Sequence, residues 1–161
     1  MADKQHHYNV RLTWTGSKGV GTATYESYGR EYRVDAERKT TIAGSADPAY
    51  RGDPTLWNPE ELFVAALSAC HQLWYLHLCA VAGVRVLAYD DRVESTMIVH
   101  GDGSGEFVSV VLHPSALISA DSPRERALAI HDEAERMCYL ARSVKFPVTH
   151  EPSVSVDGAN S

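Results

Sequence analysis

The sequence predicts a single domain of the α+β class, on two observations. Three strand-like segments precede the first helix, a pair follows it, and both predicted helices open with clear capping signals. The resulting order, βββα-ββ-αβ, lacks the regular alternation of a doubly wound parallel sheet. The chain has 161 residues, of which 44% are hydrophobic and 22% charged, so one domain with its own core is expected over residues 1–161.

The first third of the chain is predicted to form three strands and a long loop. Residues 6–15 place apolar side chains at alternate positions, which is typical of a half-buried strand. Further β-prone runs cover residues 22–27 and 30–35. Residues 36–57 then collect Gly, Pro, Asp and Ser, so we expect a long loop there, and such loops in compact domains are usually functional.

A long helix is predicted to follow this loop. Asn58 supplies an N-cap, Pro59 occupies the first helical position, and Glu61 stands at the third. The helix is expected to run to about Ala82 and to end at Gly83.

This helix carries no charged residue from Leu62 to Val84. Its length would allow a membrane span, but four polar side chains interrupt it and no Lys or Arg cluster flanks it. We therefore interpret it as a central helix buried on nearly all sides. Since so small a chain has difficulty enclosing a helix of this length, the sequence also indicates oligomerisation.

The second half of the chain is predicted to contain two strands, a helix and a closing strand. The paired strands cover residues 84–99 and 105–113 and are joined by a glycine-rich turn. Ser122 is the expected N-cap of the second helix, which should reach about 139–142. The closing strand is predicted over 144–156.

Composition excludes several classes of function. The net charge is −6 and the basic residues form no stripe, which argues against a nucleic-acid partner. Three cysteines without a C-x-x-C spacing fit neither a disulfide framework nor a zinc ribbon, and no metal or other cofactor is expected. Since the N-terminal segment has no apolar signal core, the expected location is the cytoplasm.

The cysteines differ in their sequence surroundings. Cys70 lies near the middle of the long helix among small residues, where it is either a reactive thiol or an ordinary core cysteine. Cys138 ends the second helix near Arg136 and Arg142, and such cations can lower the pKa of a thiol. Cys79 follows Cys70 by nine positions, which places it roughly on the opposite side of the helix, so it is predicted to serve packing only.

A family resemblance bears on these cysteines. The segment NPEELFVAALSACH, from Asn58 to His71, closely resembles the central-helix motif of the OsmC family. That family groups osmotically inducible protein C with the organic hydroperoxide resistance proteins. A second match is HDEAERMC, from His131 to Cys138, and the order of elements also agrees, so the resemblance covers nearly the whole chain.

The resemblance implies a thiol-dependent peroxidase built as an intertwined homodimer. Cys70 would attack an organic hydroperoxide to give a sulfenic acid, and Cys138 would resolve it as a disulfide. A dithiol, in relatives often a dihydrolipoyl group, would then reduce this disulfide. The family also uses an arginine to stabilise the thiolate and a glutamate to hold that arginine, which correspond here to Arg51 and Glu60. Lys18 is the alternative cation, because some relatives carry theirs in the first hairpin.

Two departures from the family pattern keep other functions open. Tyr139 follows Cys138 where many relatives have proline, and residues 73–75 are bulky. An apolar lining would suit organic hydroperoxides, although these side chains could also be core. The alternatives are a non-catalytic OsmC-like stress or small-ligand-binding protein, and a thiol hydrolase, which would need a base beside Cys70.

Helix geometry gives a separate reason to expect a dimer. Glu60 precedes Cys70 by ten residues, so the two lie about 15 Å apart along the axis and about 80° apart around it. Glu60 therefore cannot serve the Cys70 of its own helix. Two antiparallel copies of the helix about a two-fold axis would bring each Glu60 near the partner's thiol. The alternative is that Glu60 only interacts favourably with the helix dipole.

Overall fold

The computed structural model describes residues 4–158, and the chain forms two compact units, Met1–Leu62 and Phe63–Ser161. The first unit contains a three-stranded antiparallel sheet in the order β1-β2-β3. Its strands are β1 (Arg11–Trp14), β2 (Tyr32–Asp35) and β3 (Ile42–Gly44). The second unit contains a four-stranded sheet and most of the helical residues.

The sheet of the first unit depends on a glycine. Tyr32 of β2 stands opposite both Trp14 of β1 and Gly44 of β3. A Cβ atom on Gly44 would lie 2.3 Å from the Tyr32 ring, well inside van der Waals contact. Glycine at this position therefore lets the tyrosine ring cross the neighbouring strand.

Two predictions for this unit are wrong, one of a strand and one of a loop. Residues 22–27 form turns, because the Ser27 hydroxyl donates to the carbonyls of Gly21 and Thr24 and accepts the Thr24 N–H. These local bonds compete with the pairing that a strand would need. Strand β3 lies instead in the segment predicted as a loop, and at three residues it is too short to show a period in sequence.

The long helix α1 covers Pro59–Val81, as predicted. Asn58 Oδ1 accepts the Glu61 N–H at 2.8 Å, while Glu61 Oε2 accepts the Asn58 N–H at 3.2 Å, which is a reciprocal capping box. The helix ends where Gly83 adopts a φ of 73° and Val84 donates its N–H to the Cys79 carbonyl. This left-handed glycine is a common helix terminator.

The sheet of the second unit is built around a long hairpin. Strands β4 (Val86–Val99) and β5 (Gly105–Ile118) pair in antiparallel fashion. Strand β5 is longer than the predicted 105–113 and continues through Pro114. Next to this proline the Asp91 carboxylate accepts the His113 N–H at 2.9 Å, which gives that donor a partner.

The predicted closing strand is divided in two. Strands β6 (Val148–His150) and β7 (Ser153–Val156) both pair in parallel with β5. Pro152 lies between them and has no N–H to donate to a ladder, so the pairing is interrupted there.

The second helix, α2, covers Arg124–Met137. The prediction that Ser122 caps it is wrong, because Pro123 occupies the cap position without a side-chain hydrogen bond. The Ser122 hydroxyl instead accepts the Arg85 N–H at 2.9 Å and bonds to Ser119 Oγ at 2.8 Å. The Ser122 hydroxyl is therefore bonded to a residue distant in sequence and does not cap α2.

The main core of the second unit lies between the helices and the sheet. Helix α1 buries one face, made of four residues spaced by one turn, and α2 buries a corresponding face: Leu67, His71, Tyr75 and Cys79; Ala127, Ile130, His131 and Ala134. They pack with residues of β5 and β7, including Ala116, Ile118 and Val154.

The remainder of α1 is less buried than the sequence predicts. Only 22% of its most apolar window is buried within the chain, and side chains such as Leu73 and Val81 are exposed. By length and composition alone it is the one helix in residues 4–158 that could cross a membrane, a criterion that core helices of soluble proteins also meet.

Candidate active site

The second unit brings together two of the predicted site residues, Cys70 and Cys138. They are 68 positions apart in sequence, yet Cys70 lies close enough to Cys138 to raise the pKa of its thiol. Both are free thiols. Cys70 is partly exposed in the middle of α1, whereas Cys138 is 1% exposed at the end of α2.

The surroundings of Cys138 favour its neutral form. Burial raises the pKa of this thiol, and the neighbouring Cys70 thiol raises it further. The residue caps the C-terminus of α2, where the helix dipole disfavours an anion. Its sulfur accepts the Ala141 N–H at 3.4 Å, which only partly opposes these effects.

The expectation that Arg136 and Arg142 lower the pKa of Cys138 is wrong, since that pKa is raised. The Arg142 guanidinium donates to the Arg136 carbonyl at 3.4 Å, in an exposed contact. Arg136 and Arg142 are therefore close to Cys138 in sequence, but neither of them lowers the pKa of its thiol.

Aromatic side chains connect the two segments that carry the cysteines. Trp74 lies one turn after Cys70, and Tyr139 follows Cys138 directly. Their rings meet edge to face with centroids 5.5 Å apart. Tyr139, which departs from the family pattern, therefore packs against α1 and places an apolar surface beside the thiol pair.

Arg51 lies in a tightly ordered loop of the first unit. It ends the 3₁₀ turn Pro48–Tyr50 in the left-handed conformation, with φ 66° and ψ 26°. A Cβ on the next residue, Gly52, would lie 1.6 Å from the Ala46 carbonyl oxygen. A non-glycine residue in this conformation is uncommon and is often found at functional sites.

Glu60 lies in the first turn of α1, close to Tyr32 of the same unit. Burial raises the pKa of Tyr32, and the negative charge of Glu60 raises it further. The Tyr32 hydroxyl donates to the Trp57 carbonyl at 3.4 Å. Among residues 4–62 neither Glu60 nor Arg51 forms an ion pair.

Cys79 lies in the core of the second unit, where it is 1% exposed. Burial raises the pKa of its thiol.

Sequence reasoning missed a cluster of three histidines beside the thiol pair. His71 of α1, His131 of α2 and His150 of β6 have their ring centroids within 5.4–6.1 Å of one another. His131 lies on the apolar face of α2, which was the available sequence signal. In residues 4–158 no group of three or more His, Cys, Asp and Glu side chains is arranged to hold a metal ion.

Comparison with known proteins agrees with this fold. The family model of OsmC-like proteins matches residues 52–153. An OsmC-like protein of unknown function from Vibrio cholerae is 27% identical, with a TM-score of 0.83 over 92% of this chain and 99% of that one. No curated protein sequence matches the chain significantly.

Two more distant structures share the fold. An organic hydroperoxide resistance protein from Elizabethkingia anophelis is 17% identical, with a TM-score of 0.66 over 96% of this chain and 100% of that one. One from Legionella pneumophila is 19% identical, with a TM-score of 0.66 over 94% and 100%.

The two-helix α+β fold, together with the family match, defines an OsmC-type protein. The chain belongs to the OsmC-like family, whose members include the organic hydroperoxide resistance proteins.

Proposed function

We propose that this protein is a thiol-dependent peroxidase that reduces organic hydroperoxides with Cys70 and Cys138. The observation that carries the proposal is the meeting of two free thiols from distant parts of the chain, one partly exposed and one buried. Two structural relatives are named organic hydroperoxide resistance proteins, and the rings of Trp74 and Tyr139 would suit an organic rather than a fully polar peroxide.

The exposure of the two cysteines supports different roles for them in the proposed reaction. The partly exposed Cys70 is the nucleophile: its thiolate attacks the peroxide O–O bond, releases the alcohol and becomes a sulfenic acid. Cys138, buried and held as a thiol, then attacks the Cys70 sulfur, and its proton leaves with the hydroxyl group as water. A dithiol, such as a dihydrolipoyl group, reduces the disulfide.

Arg51 and Glu60 complete the proposed site. A cation is needed because removal of a thiolate from water raises its pKa, and Arg51 is held in a left-handed backbone conformation that costs free energy in any residue but glycine. Glu60 would orient this arginine. Titration of the thiolate absorbance in wild type and in Arg51→Ala tests the assignment: an unchanged Cys70 titration would remove Arg51 and turn attention to Lys18.

We also propose that the active form is an intertwined homodimer. Helix α1 has no charged residue from Leu62 to Val84, yet residues on one side of it are exposed in the single chain: Ala65, Ala69, Leu73 and Ala80. A second copy of α1 packed there would bury this surface and supply Glu60 to the partner's Cys70. Sedimentation as a monomer at micromolar concentration would refute the dimer.

A mixing experiment tests whether the site is shared. Glu60→Ala and Cys70→Ser subunits are refolded together, so that each heterodimer contains one site free of both substitutions. Peroxidase activity should recover to about half the wild-type value per heterodimer. Absence of recovery would show that Glu60 acts only on its own helix.

The two units are proposed to form one cytoplasmic OsmC-like domain over residues 1–161. The family match runs from residue 52 to residue 153 and so includes parts of both units. The similarity to the Vibrio cholerae protein likewise extends over 92% of the chain.

The deciding experiment is consumption of cumene or tert-butyl hydroperoxide with a dithiol as reductant. Cys70→Ser should abolish turnover, and the matched variant Cys79→Ser should retain it. Stoichiometric peroxide should produce a Cys70–Cys138 disulfide with Cys79 free, as shown by mass mapping. A bridge that includes Cys79, or no peroxide consumption by the wild type, would favour the alternative of a non-catalytic OsmC-like stress or ligand-binding protein.

A further inference from the structure

A surface groove in the second unit combines an apolar wall with two arginines. It encloses about 460 Å³, which is within the range of small-ligand sites in proteins. Phe146, Pro147 and Val148 supply its apolar surface, and Arg136 and Arg142 also line it. We call it the arginine groove, and the proposed reaction makes no use of it.

The apolar wall of the arginine groove is firmly packed. The three phenylalanines of the chain meet there, since the centroid of the Phe146 ring lies 6.1 Å from that of Phe63 and 5.8 Å from that of Phe107. Phe146 and Val148 also pack against the buried cluster that includes Leu67. Because the core already holds these side chains in place, little conformational entropy is lost when an apolar ligand packs against them.

The two guanidinium groups carry charge that their surroundings do not neutralise. Within residues 4–158 neither Arg136 nor Arg142 forms an ion pair. Glu133, three residues before Arg136 on α2, pairs instead with Arg126. One N–H of the Arg142 guanidinium donates to the Arg136 carbonyl at 3.4 Å, which anchors this side chain and leaves it further donors for a ligand.

The arginine groove lies at the C-terminal end of α2, where free carbonyl groups would repel an anion. Most of these carbonyls already have donors. The Cys138 N–H donates to the carbonyls of Ala134 and Glu135. Arg142 donates its guanidinium N–H to the Arg136 carbonyl and its backbone N–H to the Cys138 carbonyl. The guanidiniums therefore dominate the electrostatics that a ligand meets.

One carboxylate also lines the arginine groove. It belongs to Glu135, whose Oε2 atom lies 3.1 Å from His150 Nδ1. Two guanidiniums and one carboxylate give the lining a net charge of +1, although the net charge of the whole chain is −6. The groove therefore attracts an anion and disfavours a cation.

A second groove of this unit provides a comparison. It encloses about 420 Å³ and is lined by apolar side chains such as Leu76 and Val84, together with one arginine, Arg85. The Arg85 guanidinium is paired with Asp121 at 3.2 Å. The two grooves are thus similar in size and apolar surface, but only the arginine groove offers unpaired positive charge.

We propose that the arginine groove binds a small amphipathic carboxylate. The head group lies on the two guanidiniums, and a short aliphatic chain lies along the apolar wall. A guanidinium matches the planar shape of a carboxylate and binds it through charge-assisted hydrogen bonds. This inference goes beyond the proposed function and does not depend on the cysteines.

The test measures binding of octanoate to the full-length protein by isothermal titration calorimetry. Octanoate should bind with a Kd below about 1 mM, and octylammonium, which has the same chain and the opposite charge, should bind at least about tenfold more weakly. Shortening the chain from octanoate to hexanoate and butyrate should weaken binding by about two- to fourfold for each CH₂ removed.

Three variants test the contribution of charge. The double variant Arg136→Gln/Arg142→Gln, changed at two exposed positions, should weaken octanoate binding at least about tenfold. Arg85→Gln is the matched control and should leave the affinity unchanged, because that guanidinium lines the other groove and is paired. Glu135→Gln should tighten binding by about threefold, since it removes a negative charge from the lining.

Amide chemical shifts recorded by NMR during the titration locate the ligand. The largest changes should fall in residues 141–149, which include most of the groove. Changes confined to residues 70–77 would place octanoate beside the thiol pair and overturn the proposal. So would the absence of octanoate binding, equal binding of octylammonium, or an unchanged affinity in the double arginine variant. Failure to consume organic hydroperoxides would refute the proposed function alone and leave this inference standing.

Discussion

Replacement of His71 and His131 together should make the protein much less sensitive to mild acid. These side chains are buried and bonded to each other, and burial lowers their pKa values from 6.5 to about 4 and about 3. In the unfolded chain both would titrate near 6.5. Between these limits the unfolded state binds more protons than the folded state, so the free energy of unfolding falls as the pH falls.

The size of the effect follows from proton linkage. The contribution of the neutral pair is fully present above pH 6.5 and is lost progressively below it, until the folded pKa values are reached. At pH 5 each unfolded histidine is almost fully protonated and each folded one almost fully neutral. The loss is then about 2 kcal/mol for each, or about 4 kcal/mol together, with a slope of about 2.5 kcal/mol per pH unit. Against a typical total stability of about 5–15 kcal/mol, this is a large fraction.

The assay is urea unfolding followed by fluorescence of the three tryptophans, at one protein concentration and at about pH 7.5, 6 and 5. The wild type is compared with a His71→Asn/His131→Asn variant. Any constant packing cost of these substitutions cancels, because the quantity compared is the change with pH. His100→Gln serves as control, since that side chain is 46% exposed.

The double variant should lose less than about 1 kcal/mol over this range, and the control should lose as much as the wild type. Surface carboxylates with lowered pKa, such as Asp102 and Glu133, become protonated below about pH 4. They therefore contribute little to the change in the free energy of unfolding between pH 7.5 and 5. A wild type that loses less than about 1 kcal/mol between pH 7.5 and 5, or a double variant that loses as much as the wild type, would refute the reasoning.

Three further predictions test local features. Asn58→Ala removes the side chain that caps α1 and should lower the free energy of unfolding by about 1 kcal/mol in urea; no change would show that the cap is dispensable. Gly52→Ala should lower peroxidase activity at least tenfold, because its Cβ would collide with the Ala46 carbonyl next to Arg51, while Gly101→Ala, with open space around it, should leave activity unchanged. Asp91→Ala leaves two hydrogen-bond donors without their acceptor and should cost about 2 kcal/mol in urea unfolding; a loss below about 0.5 kcal/mol would contradict this.

The sequence predicted best those features that depend on neighbouring residues. The start of α1 is an example, because Asn58 and Glu61 interact within a single turn. Ser122 has the same local pattern but failed as a cap, since Arg85, which is 37 positions away, donates its N–H to the hydroxyl. A capping motif shows that a side chain is able to cap a helix, but tertiary contacts determine whether it does.

The candidate site shows the same difference between local features, which the sequence predicts, and long-range contacts, which it does not. The spacing around Cys70 could be read from the sequence, but nothing local could connect it with Cys138, and only the family resemblance suggested the pair. The histidines were missed for a related reason. A single histidine on an apolar helix face gives no sign of its partner, and His71, His131 and His150 come from three separate elements.

The different roles proposed for the three cysteines follow from their positions in the fold. Cys79 is nine residues after Cys70 on one continuous helix, so their Cα atoms are about 13 Å apart along the axis, too far for a disulfide without unwinding α1. Cys79 also lies in the core, whereas Cys138 lies on a small cavity. Under the proposed function, oxidation of Cys70 is therefore expected to have one intramolecular outcome in the second unit, a bond to Cys138. The burial of Cys138 also raises its pKa, which makes it a poor leaving group when the proposed disulfide is reduced.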